Sequence, residues 1–327
     1  MQIKSIQLPK ELREDMYNEL TLEDFASSFG TTIDDIDDDC RKLIAESDFR
    51  YRIPEGKEHD NIILDVLKKI DSDQQIVGAK ERSDVWEKGW AENLKEFIDS
   101  DYDLNKLVPK FIRPSQIIRL NQNYAIPADP NFELDYFSVF RLWIFKKYLK
   151  DFDAIYDFGC GTGFNLTVLG KLFPEKRLYG LDFVPSSRDL VNKLGQVCCW
   201  NLTGHTFDMR LPDENLKIAD NSAILTNGAI EQLAGDFEAF LQFLLKRSPA
   251  LCIHVEPTIE LYDEDNLVDY LAVKFHRKRG YTQGFLPRLQ QLRDQGKIEI
   301  IKIKRLFFGS LFMEGYNLII WKPDKTD

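Results

Sequence analysis

Residues 154–163, AIYDFGCGTG, lead a mostly apolar run directly into three glycines at alternate positions. Such a stretch reads as a buried strand ending in a loop where a ligand can lie against bare backbone. The rhythm around it sets the architecture. AIYDF (154–158), RLYGLDF (177–183), SAILTN (222–227) and ALCIHVE (250–256) are short apolar runs separated by helical stretches such as FEAFLQFLLKR (237–247). Strands alternating with helices imply a mainly parallel sheet covered on both faces. The tail changes rhythm: KIEIIKIKRLFF, a glycine-bounded GSLFMEG, then YNLIIWKP, which predicts a closing antiparallel hairpin. In parallel sheets ligands settle beyond the carboxyl ends of the strands, and the glycine loop falls there.

The residues around the loop narrow the ligand. A dinucleotide fingerprint would place glycines at 159, 161 and 164, but position 164 is Phe and the third glycine is Gly163. Asp157, two residues before the first glycine, would repel a pyrophosphate and attract a cation. Asp182 ends the next strand, about where a carboxylate accepts both ribose hydroxyls. An adenosine with a positive, phosphate-free arm satisfies all three, and S-adenosylmethionine is such a ligand.

At this point the chain resembles the class I S-adenosylmethionine-dependent methyltransferases over residues 130–323. The resemblance implies an α/β fold with a seven-stranded Rossmann-like sheet, mostly parallel, its last strand antiparallel. It also implies an enzyme with S-adenosylmethionine as cofactor. Asp157, Gly159, Gly161 and Gly163 would line the methionine arm, Asp182 would hold the ribose, and Phe183 would pack beside the adenine. In GHTFDMRLP, Asp208 would meet the adenine amino group with Met209 beside it. In LTNGAIEQL, the strand end at Asn227 would face the sulfonium. The NGAIEQ segment lacks the Asn/Asp-Pro-Pro-aromatic pattern of the adenine- and amide-methylating enzymes. Glu231 and Glu256 match only part of the ligand set of the metal-dependent catechol-type enzymes, so no metal is expected.

The first third reads differently. LEDFASSFG, DNIILDVLKKI and VWEKGWAENLKEFI carry apolar residues at helical spacing, which predicts helices from residue 9 to about 110. Thr32 and the aspartates of TTIDDIDDDC suit an acidic first helical turn; a calcium loop would need a glycine turn and distal glutamate that do not follow. Prolines cluster near AIPADPNF, which sets a boundary between a helical N-terminal domain, 1–126, and a methyltransferase domain, 127–327. FELDYFSVFRLWIFKKYL (132–149) is apolar almost all round and reads as a buried helix. The net charge of −11, concentrated in the first 120 residues, argues against a nucleic-acid partner. No run is long enough to span a membrane, no signal-like apolar region follows Lys4 or Lys10, and five cysteines without ligand spacing suit a reduced, cytoplasmic setting.

Methyl transfer depends chiefly on alignment, and a hydroxyl acceptor gains further from a base. His254 and Glu256 in CIHVEP share strand parity and point to one side; they read either as a base pair or as a buried structural pair. KFHRKRGYTQGF gathers His276, Arg279 and Tyr281, either an anion-binding turn with His276 as a second base or cations answering a helix dipole. Glu231, Arg279 and Tyr281 are the candidate acceptor contacts. The same segments, with WEKGWAENL upstream, resemble uncharacterised methyltransferases of bacterial surface-polysaccharide gene clusters, which implies a sugar acceptor. The resulting expectation is O-methylation of a small, anionic acceptor by a chain that can form homo-oligomers. Protein or RNA methylation, or cofactor binding without transfer, are the competing classes.

Overall fold

The computed structural model describes residues 17–77 and 82–324. The expectations resting on Lys4, Lys10 and the start of the helical run lie outside them. The N-terminal part opens with β1 (Asn18–Glu19) and α1 (Leu22–Phe29). Thr21 starts α1 by a reciprocal cap: its hydroxyl accepts the Asp24 N–H at 3.2 Å and the Asp24 carboxylate accepts the Thr21 N–H at 2.8 Å. Asp37 caps α2 (Asp38–Glu46) by accepting the Cys40 N–H at 3.0 Å, so the aspartate run does form an acidic first turn. There follow β2 (Arg50–Arg52), α3 (Gly56–Ser72), α4 (Arg82–Asp99), β3 (Ile118–Leu120) and β4 (Asn123–Pro127).

The four strands correct the expectation of a purely helical N-terminal domain. They belong to a five-stranded antiparallel sheet whose fifth member comes from near the C-terminus. The expected boundary at 126/127 falls inside β4, and one apolar core runs through both sides of it. At its centre lies α5 (Phe132–Tyr148), with Tyr136, Phe140 and Trp143 buried. Phe29 stacks on Trp143 at 5.0 Å between ring centroids, and each such burial contributes about 2–3 kcal/mol. At the end of α5, Lys146 pairs with Asp37 and Asp39, and Lys147 with Asp35 at 2.9 Å.

The second part alternates as expected: β5 (Ala154–Phe158), α6 (Phe164–Leu172), β6 (Arg177–Asp182), α7 (Pro185–Cys198), β7 (Leu202–Thr206), β8 (Ser222–Asn227), α8 (Glu238–Arg247), β9 (Leu251–Glu256), α9 (Leu267–Arg279), α10 (Phe285–Asp294), β10 (Ile298–Lys304), β11 (Phe308–Ser310) and β12 (Asn317–Pro323). The large sheet has the order β10-β12-β9-β8-β5-β6-β7, with β12 antiparallel to both its neighbours and the remaining adjacent pairs parallel. Period-two alternation divides its side chains. Ile155, Leu225, Ile253 and Ile320 join the core around α5, while Ala154, Ile224, Cys252 and Trp321 join the core under α8 and α10. The expected terminal hairpin is present, but its connection is not a plain loop: β11 leaves it to pair with β3, Phe308 opposite Leu120. Among the described residues no helix is long and apolar enough to cross a membrane.

Beside β11 lies a buried ion cluster. Asp269 on α9 accepts from Arg119 of β3 at 2.9 Å, from Arg305 at 2.7 Å and from Gln122 at 3.0 Å. Arg305 also binds Glu314 at 2.7 Å. The cluster ties β3, α9 and the ends of the β11 excursion together.

Candidate active site

β5 ends at Phe158, and the chain turns through Gly159 (φ 72°) and Gly161 (φ 54°), left-handed conformations that side chains resist. Space excludes a side chain as well. A Cβ on Gly159 would sit 2.4 Å from the Ala229 Cβ, and one on Gly161 would sit 3.0 Å from the Trp90 ring. Gly163 starts α6 and packs toward Val191 and Leu194, so it shapes the helix start and is not among the residues lining the cavity. Asp182, the last residue of β6, braces the loop. One carboxylate oxygen accepts the Gly161 N–H at 3.0 Å and the other the Val184 N–H at 3.3 Å. Burial outweighs these bonds and pushes its carboxyl up to about 6.

A cavity of about 410 Å³ opens over these strand ends, lined by Gly159, Asp182, Phe183, Phe207, Asp208, Met209 and Ala229 among others. Five of the residues expected to hold a cofactor therefore meet at one place. Asp157 and Asn227 stand behind it. The Asn165 amide donates to Asp157 at 3.4 Å and the Asn227 amide to Asn165 at 3.5 Å. The other Asp157 oxygen is buried with no partner, and burial pushes the carboxyl up to about 8. An unpartnered buried carboxylate oxygen beside a glycine cradle suits a ligand that brings a cation.

The sequence reading missed the roof. Trp86 and Trp90 on α4 stack at 5.2 Å and line the same cavity. Glu87 between them accepts the Ser186 N–H at 3.1 Å at the start of α7, and Thr162 in the glycine loop donates to the Leu107 carbonyl at 2.6 Å. Two tryptophans one helical turn apart were the available signal, but helical spacing alone does not say what they cover. Trp90→Ala should weaken S-adenosylhomocysteine binding about tenfold, read by calorimetry, for loss of one ring's contact of about 1.4 kcal/mol. Unchanged affinity would remove α4 from the binding site.

The expected bases are placed elsewhere. His254 is buried between two partners: the Trp321 indole N–H donates to Nε2 at 2.9 Å, which leaves Nδ1 to donate to the Thr226 hydroxyl at 2.8 Å. Burial pushes the ring down to about 3, so it is neutral and structural. Glu256 points the same way as His254, but its oxygens accept the N–H groups of Ala229 and Ile230 at 3.1 Å each, and of Glu231 at 3.4 Å. It is a positioning residue for the turn after β8, its carboxyl raised to about 7 by burial. His276 lies against the Tyr262 and Tyr281 rings, away from the cavity lining, and is pushed down to about 4 by burial.

Arg279 does not await an anion. It donates to Asp73 at 3.0 and 2.8 Å and to the Tyr281 hydroxyl at 3.0 Å, and so fastens the end of α3 to the end of α9. Tyr281 is buried in the same contact. Glu231 is buried beside the site, accepting from the Gln232 amide at 2.7 Å. Among the described residues no group of three or more His, Cys, Asp or Glu converges as metal ligands.

The seven-stranded sheet resembles that of class I methyltransferases, in strand order and in its single reversed strand. No family model matches the chain, and no curated protein does. Solved structures match. A plantazolicin methyltransferase in complex with a monoazolic desmethyl analogue and S-adenosylhomocysteine is 16% identical, covering 76% of this chain and 99% of its own, with a TM-score of 0.41. A SAM-dependent methyltransferase from Aquifex aeolicus is 17% identical over 54% of this chain and 88% of its own, TM-score 0.38. Human N-acetylserotonin methyltransferase is 14% identical over 59% of this chain and 56% of its own, TM-score 0.39. Likenesses this distant carry no argument about chemistry, which must come from the site itself.

Proposed function

We propose that the protein is an enzyme, an S-adenosylmethionine-dependent methyltransferase that methylates oxygen on a small acceptor. The observation that carries this is the cavity at the carboxyl ends of β5, β6 and β8, with Asp182 at one end and the buried, unpartnered Asp157 oxygen behind the glycine cradle. Asp182 would accept the ribose hydroxyls, Phe183 and Met209 would flank the adenine, and Asp208 would take the adenine amino group. Asp157, with Asn165 and Asn227 behind the loop, balances the positive arm. When bound, the cofactor supplies a methyl group already activated on a sulfonium.

The chain's own contribution is to hold the two reactants in line and keep water out. Trp86 and Trp90 close the cavity from above, while Glu256 fixes the turn Ile230–Leu233 that borders it. A sugar or sugar derivative is the first acceptor class to test, on the sequence resemblance alone. Arg279, committed to Asp73, is not offered to an anionic one.

The experiment is to incubate the protein with methyl-labelled S-adenosylmethionine and a fractionated bacterial extract. Label in small soluble molecules is the expected result. Label in protein or RNA would remove the small acceptor. No label from a protein that binds S-adenosylhomocysteine would make it a binder without transfer.

A further inference from the structure

The positive arm of the proposed cofactor meets no carboxylate at the glycine end of the cavity. Among the described residues, the charged side chains of the lining are Asp182, Asp208 and Arg210, all at the ends of β6 and β7. The glycine end is lined instead by Gly159, Gly228, Ala229, Leu233 and the two indoles of α4. Asp157 and Glu256, 1% and 2% exposed, stand behind the backbone and are not part of that lining. A cation taken from water into such a place needs something negative in front of it.

The indoles are placed to supply it. Trp90 stands directly over the glycine loop. The atoms nearest a Cβ built on Gly161 all belong to its six-membered ring: Cζ2 at 3.0 Å, Cη2 at 3.3 Å and Cε2 at 3.4 Å. Trp86 stacks against that ring, and both indoles are half-buried. The helix that carries them is pinned along its length. The Ser186 hydroxyl donates to the Glu87 carbonyl at 3.0 Å, and the amide of buried Asn93 donates to the Lys106 carbonyl at 3.0 Å. Rings held in advance need little ordering when a ligand arrives. An aliphatic side chain would cover the loop as well, but only an aromatic one adds a negative face that attracts a desolvated cation.

We infer that Trp90, backed by Trp86, is the residue by which this site tells the charged cofactor from its uncharged product. This rests on the S-adenosylmethionine reading above. S-adenosylmethionine and S-adenosylhomocysteine share the adenosine and the amino-acid group; they differ by one methyl and one positive charge on sulfur. Contacts of the adenosine with Asp182 and Asp208 would be the same for both. The sulfonium is left to the indole face, which favours the charged form and loosens its hold once the methyl has gone.

The test is calorimetric titration of the full chain, without acceptor, by each of the two ligands. Trp90→Leu keeps an apolar cover over Gly161 and removes the aromatic face. It should lose about tenfold more affinity for S-adenosylmethionine than for S-adenosylhomocysteine, and Trp90→Phe should lose a smaller part of that ratio. A second version needs no substitution: the chain made with a fluorinated tryptophan at its five tryptophans keeps the shape of each ring and weakens its negative face. It should bind S-adenosylmethionine more weakly and S-adenosylhomocysteine as before. The same labelling of Trp90→Phe should change the ratio little, which assigns the effect to Trp90. Equal losses for the two ligands in Trp90→Leu, or none, would overturn the proposal and leave the cofactor reading standing. If circular dichroism shows that Trp90→Leu does not fold, the fluorinated wild-type chain decides, and an unchanged ratio there would overturn it. A wild-type chain that binds neither ligand would overturn both.

Discussion

Asp182→Ala should bind S-adenosylhomocysteine at least ~100-fold more weakly than wild type, because a carboxylate that accepts two hydroxyls contributes about 1.5–3 kcal/mol for each bond. The side chain has two duties. It braces the glycine loop through Gly161 and Val184, and it lines the cavity. Asp182→Asn separates them, since the amide keeps one acceptor for the loop but loses the charge. Binding of both variants is read by calorimetry, with circular dichroism to confirm the fold. Wild-type affinity in Asp182→Ala would mean that this cavity does not hold the adenosine.

Asp269→Ala should cost roughly 3–5 kcal/mol of folding stability, a large share of the 5–15 kcal/mol typical of a folded protein. The substitution leaves the Arg119 and Arg305 guanidinium groups buried near each other with Glu314 as the remaining carboxylate of the cluster. Breaking a buried pair leaves one charge buried without the partner whose attraction offset its desolvation. The comparison is Glu238→Gln, which removes the half-exposed partner of Arg288 and should cost less than about 1 kcal/mol. Urea denaturation at one pH measures both. Equal, small losses would show that the cluster is not what joins β3, α9 and the β11 excursion.

The centre of the large sheet was readable because β5, β6, β8 and β9 are short, mainly apolar runs of five or six residues with helical stretches between them. Asp157, Asp182 and Asp208 were legible for a related reason: strand ends fix where a side chain emerges, and the glycine loop marks one of those ends. The small sheet was not legible. Its strands β1, β2 and β3 have two or three residues, too few to show a period, and apart from the β3–β4 hairpin their partners lie far off in sequence. Arg279 was misread for a similar reason, since Asp73 stands on another helix and local sequence shows only a basic turn. His254 and Glu256 were placed correctly on one face of one strand, but parity does not say whether that face meets solvent, ligand or a neighbouring strand's hydroxyl.

The pairing of β11 with β3 has a consequence in time. As a ribosome releases this chain, β3 and β4 emerge long before the strand that completes their sheet. Until β11 arrives, β3 has an open edge and Arg119 lacks Arg305 and Glu314 as neighbours in its cluster. Contacts between distant segments close slowly because the loop between them must first be ordered. The beginning of the chain therefore reaches its final form only when the end has been made, and cutting the protein before residue 308 should unsettle structure more than a hundred and eighty positions upstream, roughly the sequence gap between Leu120 and Phe308.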